Sequence, residues 1–165
     1  MIVRDATADM IRDVCLRMRE GDRAEIAACT WCETREQMAG ALAGLYGGLD
    51  GVWCAYWNDV PAVIAFAVPL RPRTLSLGMF ATDDWAHVSQ HWVRWARRTL
   101  IERVTVTAAH RIEVASMTPP GSTDGWFGWF GLEPESTMPN FGKNGETFWL
   151  YSRTGAAQEA SCSAA

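Results

Sequence analysis

Two cysteines, Cys29 and Cys32, have the spacing of a redox pair or of half a zinc site. A redox pair should open a helix that follows a strand, because the helix N-terminus lowers the pKa of the attacking thiol. This pair instead closes a predicted helix, Arg23–Cys29. A zinc site would need two more ligands, and the sequence has no second cysteine pair. We therefore predict ordinary thiols and no metal, with a redox or metal sensor as the lesser alternative.

Two histidines, His87 and His91, are four residues apart in a predicted helix, so both could face one metal ion. No third ligand is evident nearby, and a solvated helix face is the favoured interpretation. The same helix is markedly basic. Its arginines are Arg94, Arg97, Arg98 and Arg103. A solvated face is favoured here too, and an acidic partner or a phosphate group is the alternative.

The elements that must position these residues fall into two groups. The first is predicted from cap residues and from helical or alternating apolar spacing. It contains a strand at Met1–Arg4, helices at Asp9–Arg19, Arg23–Cys29 and Arg35–Tyr46, and a hairpin of Val52–Trp57 and Ala62–Pro69.

The second group is a scaffold of strand, helix, strand, short helix and strand. A crossover between parallel strands needs a long helix, and the predicted helix Trp85–Arg103 is long enough. The flanking predictions are strands at Thr74–Phe80, Arg111–Met117 and Thr147–Tyr151 and a helix at Asp124–Phe130.

Composition excludes several classes of protein. The chain has 165 residues, 48% of them hydrophobic, which predicts one domain (1–154), followed by a disordered tail (155–165). A net charge of −4 argues against general nucleic-acid binding. We expect no membrane span and no signal peptide. Five irregularly spaced cysteines do not form a disulfide framework.

Two segments resemble the GNAT superfamily, the acetyl-CoA-dependent N-acyltransferases. Ile2–Asp9 (IVRDATAD) is similar to the first strand and loop of that family, and Trp126–Leu132 (WFGWFGL) to its late helix. The resemblance implies an α+β fold. Its sheet would be mixed and mostly antiparallel, with a central parallel pair and helices on both faces.

Three segments resemble more closely a GNAT-like group of short-tailed phages, the internal virion or core protein A. They are Met18–Ile26 (MREGDRAEI), Phe80–Asp84 (FATDD) and Gly142–Arg153 (GKNGETFWLYSR). This resemblance implies that the partners are phage structural proteins. It also implies a location in the host cytoplasm and in the virion. It leaves the oligomeric state open.

The family's cofactor-binding turn differs in this chain. In GNAT enzymes a glycine-rich turn before the long helix cradles the diphosphate with backbone N–H groups. Here the turn is Ala81-Thr82-Asp83-Asp84, which has two carboxylates and no glycine. We predict that cofactor binding is lost or re-used. If acetyl-CoA binds, the resemblance assigns it to the strand end and turn, Leu77, Gly78, Met79, Phe80, Ala81 and Thr82, with Asp83 or Asp84 as the base.

Other family positions are altered or only weakly indicated. A late-helix tyrosine that protonates the leaving thiolate in many GNAT enzymes corresponds to Phe127, which has no proton to give. Arg19, Asp22 and Glu25 either belong to the substrate cleft or serve locally, with Asp22 capping a helix and Arg19 paired to a carboxylate. Trp126 and Trp129 are candidates for core packing or for a partner contact.

The sequence therefore predicts a phage-encoded GNAT-like protein for virion assembly, with degenerate acetyl-transfer chemistry. The alternative is an active N-acetyltransferase that modifies an amine of a host protein or a small molecule.

Overall fold

The structure is a computed structural model that describes residues 1–122 and 124–155, without the side chains of residues 124–126. Apart from Gly155, the predicted tail lies outside the described residues. The chain forms two compact units, one of residues 1–66 with 78–92 and one of residues 67–77 with 93 onward. The prediction of a single domain stays a prediction.

The described residues form helices and strands close to those predicted. In chain order they are β1 (Ile2–Asp5), α1 (Ala8–Leu16), α2 (Glu20–Ala28), α3 (Arg35–Tyr46), β2 (Val52–Trp57), β3 (Val60–Arg71), β4 (Thr74–Ala81), α4 (Trp85–Thr107), β5 (Arg111–Ser116), α5 (Asp124–Trp129), β6 (Glu133–Met138) and β7 (Phe148–Thr154).

Seven described strands form one mixed sheet in the order β1-β2-β3-β4-β5-β7-β6. β4 and β5 are parallel, with Thr74–Ser76 in register with Arg111–Glu113. The pairs β1–β2, β2–β3, β5–β7 and β6–β7 are antiparallel. The predicted α+β class, with a mostly antiparallel sheet around a central parallel pair, is confirmed.

The sequence does not predict β6. Five of its six residues are exposed, so an alternating apolar signal is missing. Pro134 and a bulge between Pro134 and Ser136 interrupt its pairing with β7. β6 is an edge strand in the described sheet, and its proline, bulge and charges protect such an edge from further pairing.

In the first unit, α1 and α3 pack against each other. Both begin directly after a threonine cap. The Thr7 hydroxyl accepts from the Met10 N–H at 3.3 Å, and the Thr34 hydroxyl from the Gln37 N–H at 3.2 Å. Large buried side chains of this unit include Ile11, Val14, Val52, Ile64 and Phe80.

The second unit contains both a buried apolar core and a charged network on the sheet. The Glu113 carboxylate binds Arg71 at 2.9 Å and also binds Arg111, which contacts Glu135 at 2.6 Å. Because Glu113 is buried, these two arginines offset the cost of removing its charge from water. Large buried side chains here include Leu75, Val104, Ile112, Phe148 and Tyr151.

Among the described helices, none is both long and apolar enough to cross a membrane.

Two buried thiols should be inert in the native protein. Burial raises the pKa of Cys15 to about 11 and that of Cys54 to about 12, whereas Cys29 is exposed. At about pH 8, we expect iodoacetamide to alkylate native Cys29 and to reach Cys15 and Cys54 only after unfolding. Peptide mass mapping measures this difference. Native alkylation of Cys54 as fast as that of Cys29 would contradict it.

Candidate functional site: the turn between β4 and α4

The first turn of α2 and its N-cap residue are hydrogen-bonded to the end of β4. The Asp22 carboxylate accepts from the Ala81 N–H at 2.8 Å and from the Arg19 Nε–H at 2.8 Å. The Arg19 N–H donates to the Ala81 carbonyl at 2.9 Å. The Asp22 side chain is 16% exposed and Ala81 is fully buried, so the two bonds to the Asp22 carboxylate are charge-assisted and shielded from water.

This contact corrects one prediction about Asp22. α2 begins at Glu20 with Arg19 as its N-cap residue, so Asp22 lies inside the first turn and does not cap the helix. Its carboxylate instead bonds to a strand amide 59 residues away in the sequence. The predicted pairing of Arg19 with a neighbouring carboxylate is confirmed, since Asp22 is that partner.

The turn itself binds its own backbone. The Thr82 N–H donates to the Ala62 carbonyl at 2.9 Å, and the Trp85 N–H to the Thr82 carbonyl at 3.1 Å. The Thr82 hydroxyl accepts from the Asp84 N–H and donates to the Asp84 carboxylate, both at 3.3 Å. Thr82 is buried, Asp84 is half-buried and Asp83 is exposed. The donors of Ala81, Thr82, Asp84 and Trp85 are thus used within the chain.

Arg19 also lies beside an aromatic ring. Its guanidinium carbon is 5.5 Å from the Trp85 ring centroid, and Trp85 meets Trp92 edge to face at 5.5 Å. A guanidinium over a tryptophan face gains cation–π attraction. Arg19 is therefore held by Asp22 on one side and by Trp85 on the other.

An aromatic pair covers the middle of β4. The Phe66 and Tyr46 rings stack with centroids 4.4 Å apart. The Phe66 ring lies so close to Gly78 that an added Cβ would be 2.0 Å from its Cζ. Residues 76–79 are half-buried, between buried residues at both ends of the strand. Gly78 is therefore required for close approach of the Phe66 ring.

In the second unit, Phe127 is part of the core. It is 2% exposed and stacks on Tyr151 at 4.3 Å, while the Tyr151 hydroxyl donates to the Thr118 carbonyl at 2.9 Å. Trp129 is 49% exposed and lines an 890 Å³ cavity in this unit. The side chain of Trp126 lies outside the described residues.

The remaining candidates lie elsewhere or have other contacts. Glu25 is half-buried in the next turn of α2. The His87 ring stacks on Trp57 at 5.4 Å, and His91 is exposed. In the part of the chain that the structure describes, no group of three His, Cys, Asp or Glu side chains could hold a metal ion.

Glu135, at the cavity, should titrate unusually low. The Ser152 hydroxyl and then Arg111 stabilise its carboxylate and hold its pKa below the usual range. Because the folded pKa is lowered, Glu135 stabilises the fold above its unfolded pKa and loses this contribution as pH falls through the folded value. Ser152→Ala should raise the Glu135 pKa in a carboxyl NMR titration. Ser136→Ala, on the same strand as Glu135, should not. An unchanged pKa in Ser152→Ala would contradict the assignment.

The sequence matches no protein-family model and no curated protein. Solved structures do match. A GNAT-superfamily phosphinothricin acetyltransferase from Sinorhizobium meliloti, in complex with acetyl-CoA, is 16% identical, with a TM-score of 0.66 over 93% of this chain and 87% of that chain. An acetyltransferase of the GNAT family from Bacillus anthracis is 13% identical, with a TM-score of 0.66 over 93% of each chain. The fold is that of the GNAT acetyltransferases.

Other solved structures with the GNAT fold include an aminoglycoside 6'-acetyltransferase type Ii. It is 14% identical, with a TM-score of 0.64 over 93% of this chain and 97% of that chain. At these identities the likeness establishes the GNAT fold, and activity has to be argued from the site.

The residues of the β4–α4 turn do not fit a coenzyme A diphosphate. Such a group needs available N–H donors and local positive charge. Here the Ala81 and Thr82 amides are already bonded, and Asp22, Asp83 and Asp84 place three carboxylates around the turn. Arg19, the nearby cation, is paired with Asp22. A carboxylate of the chain itself therefore already occupies the Ala81 N–H.

Proposed function

We propose that this chain is a phage-encoded GNAT-fold protein made for virion assembly, which acts through protein contacts and has lost acetyl transfer. One observation carries the proposal: the Asp22 carboxylate bonded to the buried Ala81 amide. Opening this turn to a diphosphate would break that bond and the Arg19 pair and would bring phosphate charge toward three carboxylates. Each of these costs opposes binding.

The position of Phe127 supports the same proposal. Its buried ring stacks on Tyr151 and carries no ionisable proton, so it cannot act as a general acid. The nearby Tyr151 hydroxyl is 2.9 Å from the Thr118 carbonyl, to which it donates. This chain has therefore used the position for packing.

The virion part of the proposal is supported by the phage resemblance and by where its segments lie. Met18–Ile26 and Phe80–Asp84 are distant in the sequence but meet in the first unit. Met18 bridges to Thr82, and Arg19 and Asp22 both bond to Ala81. Two of the three segments that carry the resemblance thus build one structural feature, the closed turn.

The virion role is tested by mass spectrometry of particles and precursor heads purified from the phage that encodes the chain. The proposal predicts the protein in one or both, at a fixed ratio to the structural proteins across a density gradient. Recovery only in the soluble lysate would contradict it. A soluble phage enzyme expressed at a similar level is the matched control for non-specific enclosure of soluble protein in the particles.

The second candidate function is N-acetyl transfer to an amine. It is favoured by the GNAT fold and by the half-buried residues 76–79 in the middle of β4. The test is radiolabelled acetyl transfer to a panel of aminoglycosides and amine-bearing peptides. Product formed by the wild type and lost in Asp84→Ala would support the enzyme, and no product with any acceptor would count against it.

A further inference from the structure

A broad groove runs across the second unit. Its volume is 890 Å³, and its walls come from the C-terminal half of α4, the end of α5, edge strand β6 and the end of β7. We call it the α4–β6 groove. Its lining residues include Arg97, Ile101, Arg111, Trp129, Glu133 and Glu135.

The groove exposes two large apolar side chains. Trp129 and Ile101 are each 49% exposed, on α5 and α4 respectively. A tryptophan open to solvent at the rim of a groove is typical of a site that receives an apolar side chain. These two residues supply an apolar patch within otherwise polar walls.

The exposed face of α4 beside the groove carries three arginines, of which Arg97 lines the groove. Arg94, Arg97 and Arg98 are three or four residues apart in α4, so they share one face with Ile101. All three arginines are exposed, and none has a hydrogen bond or ion pair with another described residue. These three cations, which have no partner among the described residues, form a local basic surface in a chain of net charge −4.

The opposite wall is different. Arg111 is neutralised by Glu113 and Glu135, and Glu135 also accepts from Ser152. Glu133 is exposed on the same strand. A nucleic-acid backbone would face these carboxylates across the groove, so nucleic acid is the disfavoured occupant. Pro134 and the bulge also disfavour pairing of a foreign strand with β6.

We infer that the α4–β6 groove docks an acidic segment of a partner protein. Its carboxylates would meet Arg97 in the groove and Arg94 and Arg98 beside it on α4, and an apolar side chain would rest against Trp129 and Ile101. The inference deepens the proposed function, and rests on it, by naming the surface through which the protein contacts its partner. An acidic segment is favoured as the occupant because its charge is complementary to that of the α4 arginines.

The test uses a fluorescein-labelled peptide of about ten residues, glutamates around two central leucines, and the full-length protein. We expect saturable binding by fluorescence anisotropy that weakens as salt is raised. Arg97→Glu should weaken binding at least about tenfold, and Trp129→Ala should weaken it severalfold. The matched control is Arg12→Glu, which changes net charge equally at an exposed pair on α1 and should alter binding by less than about twofold.

Several outcomes would overturn the inference. They are no peptide binding, equal losses in Arg97→Glu and Arg12→Glu, or tighter binding of single-stranded DNA than of the peptide. Self-association lost in Arg97→Glu would assign the groove to a second copy. Tighter peptide binding after deletion of residues 156–165 would assign it to the chain's own tail. A parallel titration with acetyl-CoA tests the proposed loss of acetyl transfer separately. Failure of the peptide to bind would overturn the groove inference alone, whereas binding of acetyl-CoA would count against the proposed function.

Discussion

Replacing Gly78 with alanine should destabilise the protein by about 2 kcal/mol or more. The new Cβ would lie 2.0 Å from the Phe66 ring, which is far inside van der Waals contact. That ring is held by its stack on Tyr46 at 4.4 Å, so moving it disturbs a second aromatic side chain. The free energy of unfolding, from urea titration followed by circular dichroism, measures the effect.

Two controls make the Gly78 prediction specific. Gly44→Ala in α3 places its Cβ in open space and should stabilise the helix by up to about 1 kcal/mol. The double variant Gly78→Ala with Phe66→Ala should lose less stability than the two single costs added together, because the clash has gone. Equal unfolding midpoints for Gly78→Ala and the wild type would show that the Phe66 ring does not need this glycine.

Replacing Asp22 with alanine should cost about 2 kcal/mol of stability. The change leaves the buried Ala81 N–H without its acceptor and removes the carboxylate partner of Arg19. Asp22→Asn should cost less, because the amide oxygen can still accept from Ala81 although the charge is lost.

The control for Asp22 is Asp9→Ala. Asp9 pairs with Arg12 at 2.9 Å, but its side chain is 93% exposed, so its loss should change the free energy of unfolding by less than about 0.5 kcal/mol. Amide hydrogen exchange at Ala81 gives a second readout, because the exchange rate should rise in Asp22→Ala. Equal stability and equal exchange in Asp22→Ala and the wild type would contradict a stabilising hydrogen bond between Asp22 of α2 and Ala81 of β4.

Most elements of the fold are readable from local patterns. α3 and β2 have the predicted bounds because a threonine cap or a continuous apolar run marks them. β6 is missed because a mostly exposed edge strand containing a proline has neither signal. The strand–helix–strand crossover is predictable because the length of α4 and the apolar runs on both sides leave one simple topology.

The candidate site is only partly readable from the sequence. The absence of glycine and the two aspartates of the turn indicate a poor diphosphate site, and the structure adds a contact that points the same way. Asp22 and Ala81 are 59 residues apart, so no local spacing reveals their hydrogen bond. The contact of Phe66 with Gly78 also joins two different strands, and no pattern in β4 indicates it.

We infer that the chain's own carboxylate closes the turn that GNAT enzymes use for the cofactor diphosphate. Calorimetric titration of the wild-type protein with acetyl-CoA, with coenzyme A as the comparison ligand, tests it most directly. We predict no binding heat and no thermal stabilisation at ligand concentrations of about 1 mM. Saturable binding with a micromolar Kd would contradict it, and the protein would then be examined first as an acetyltransferase.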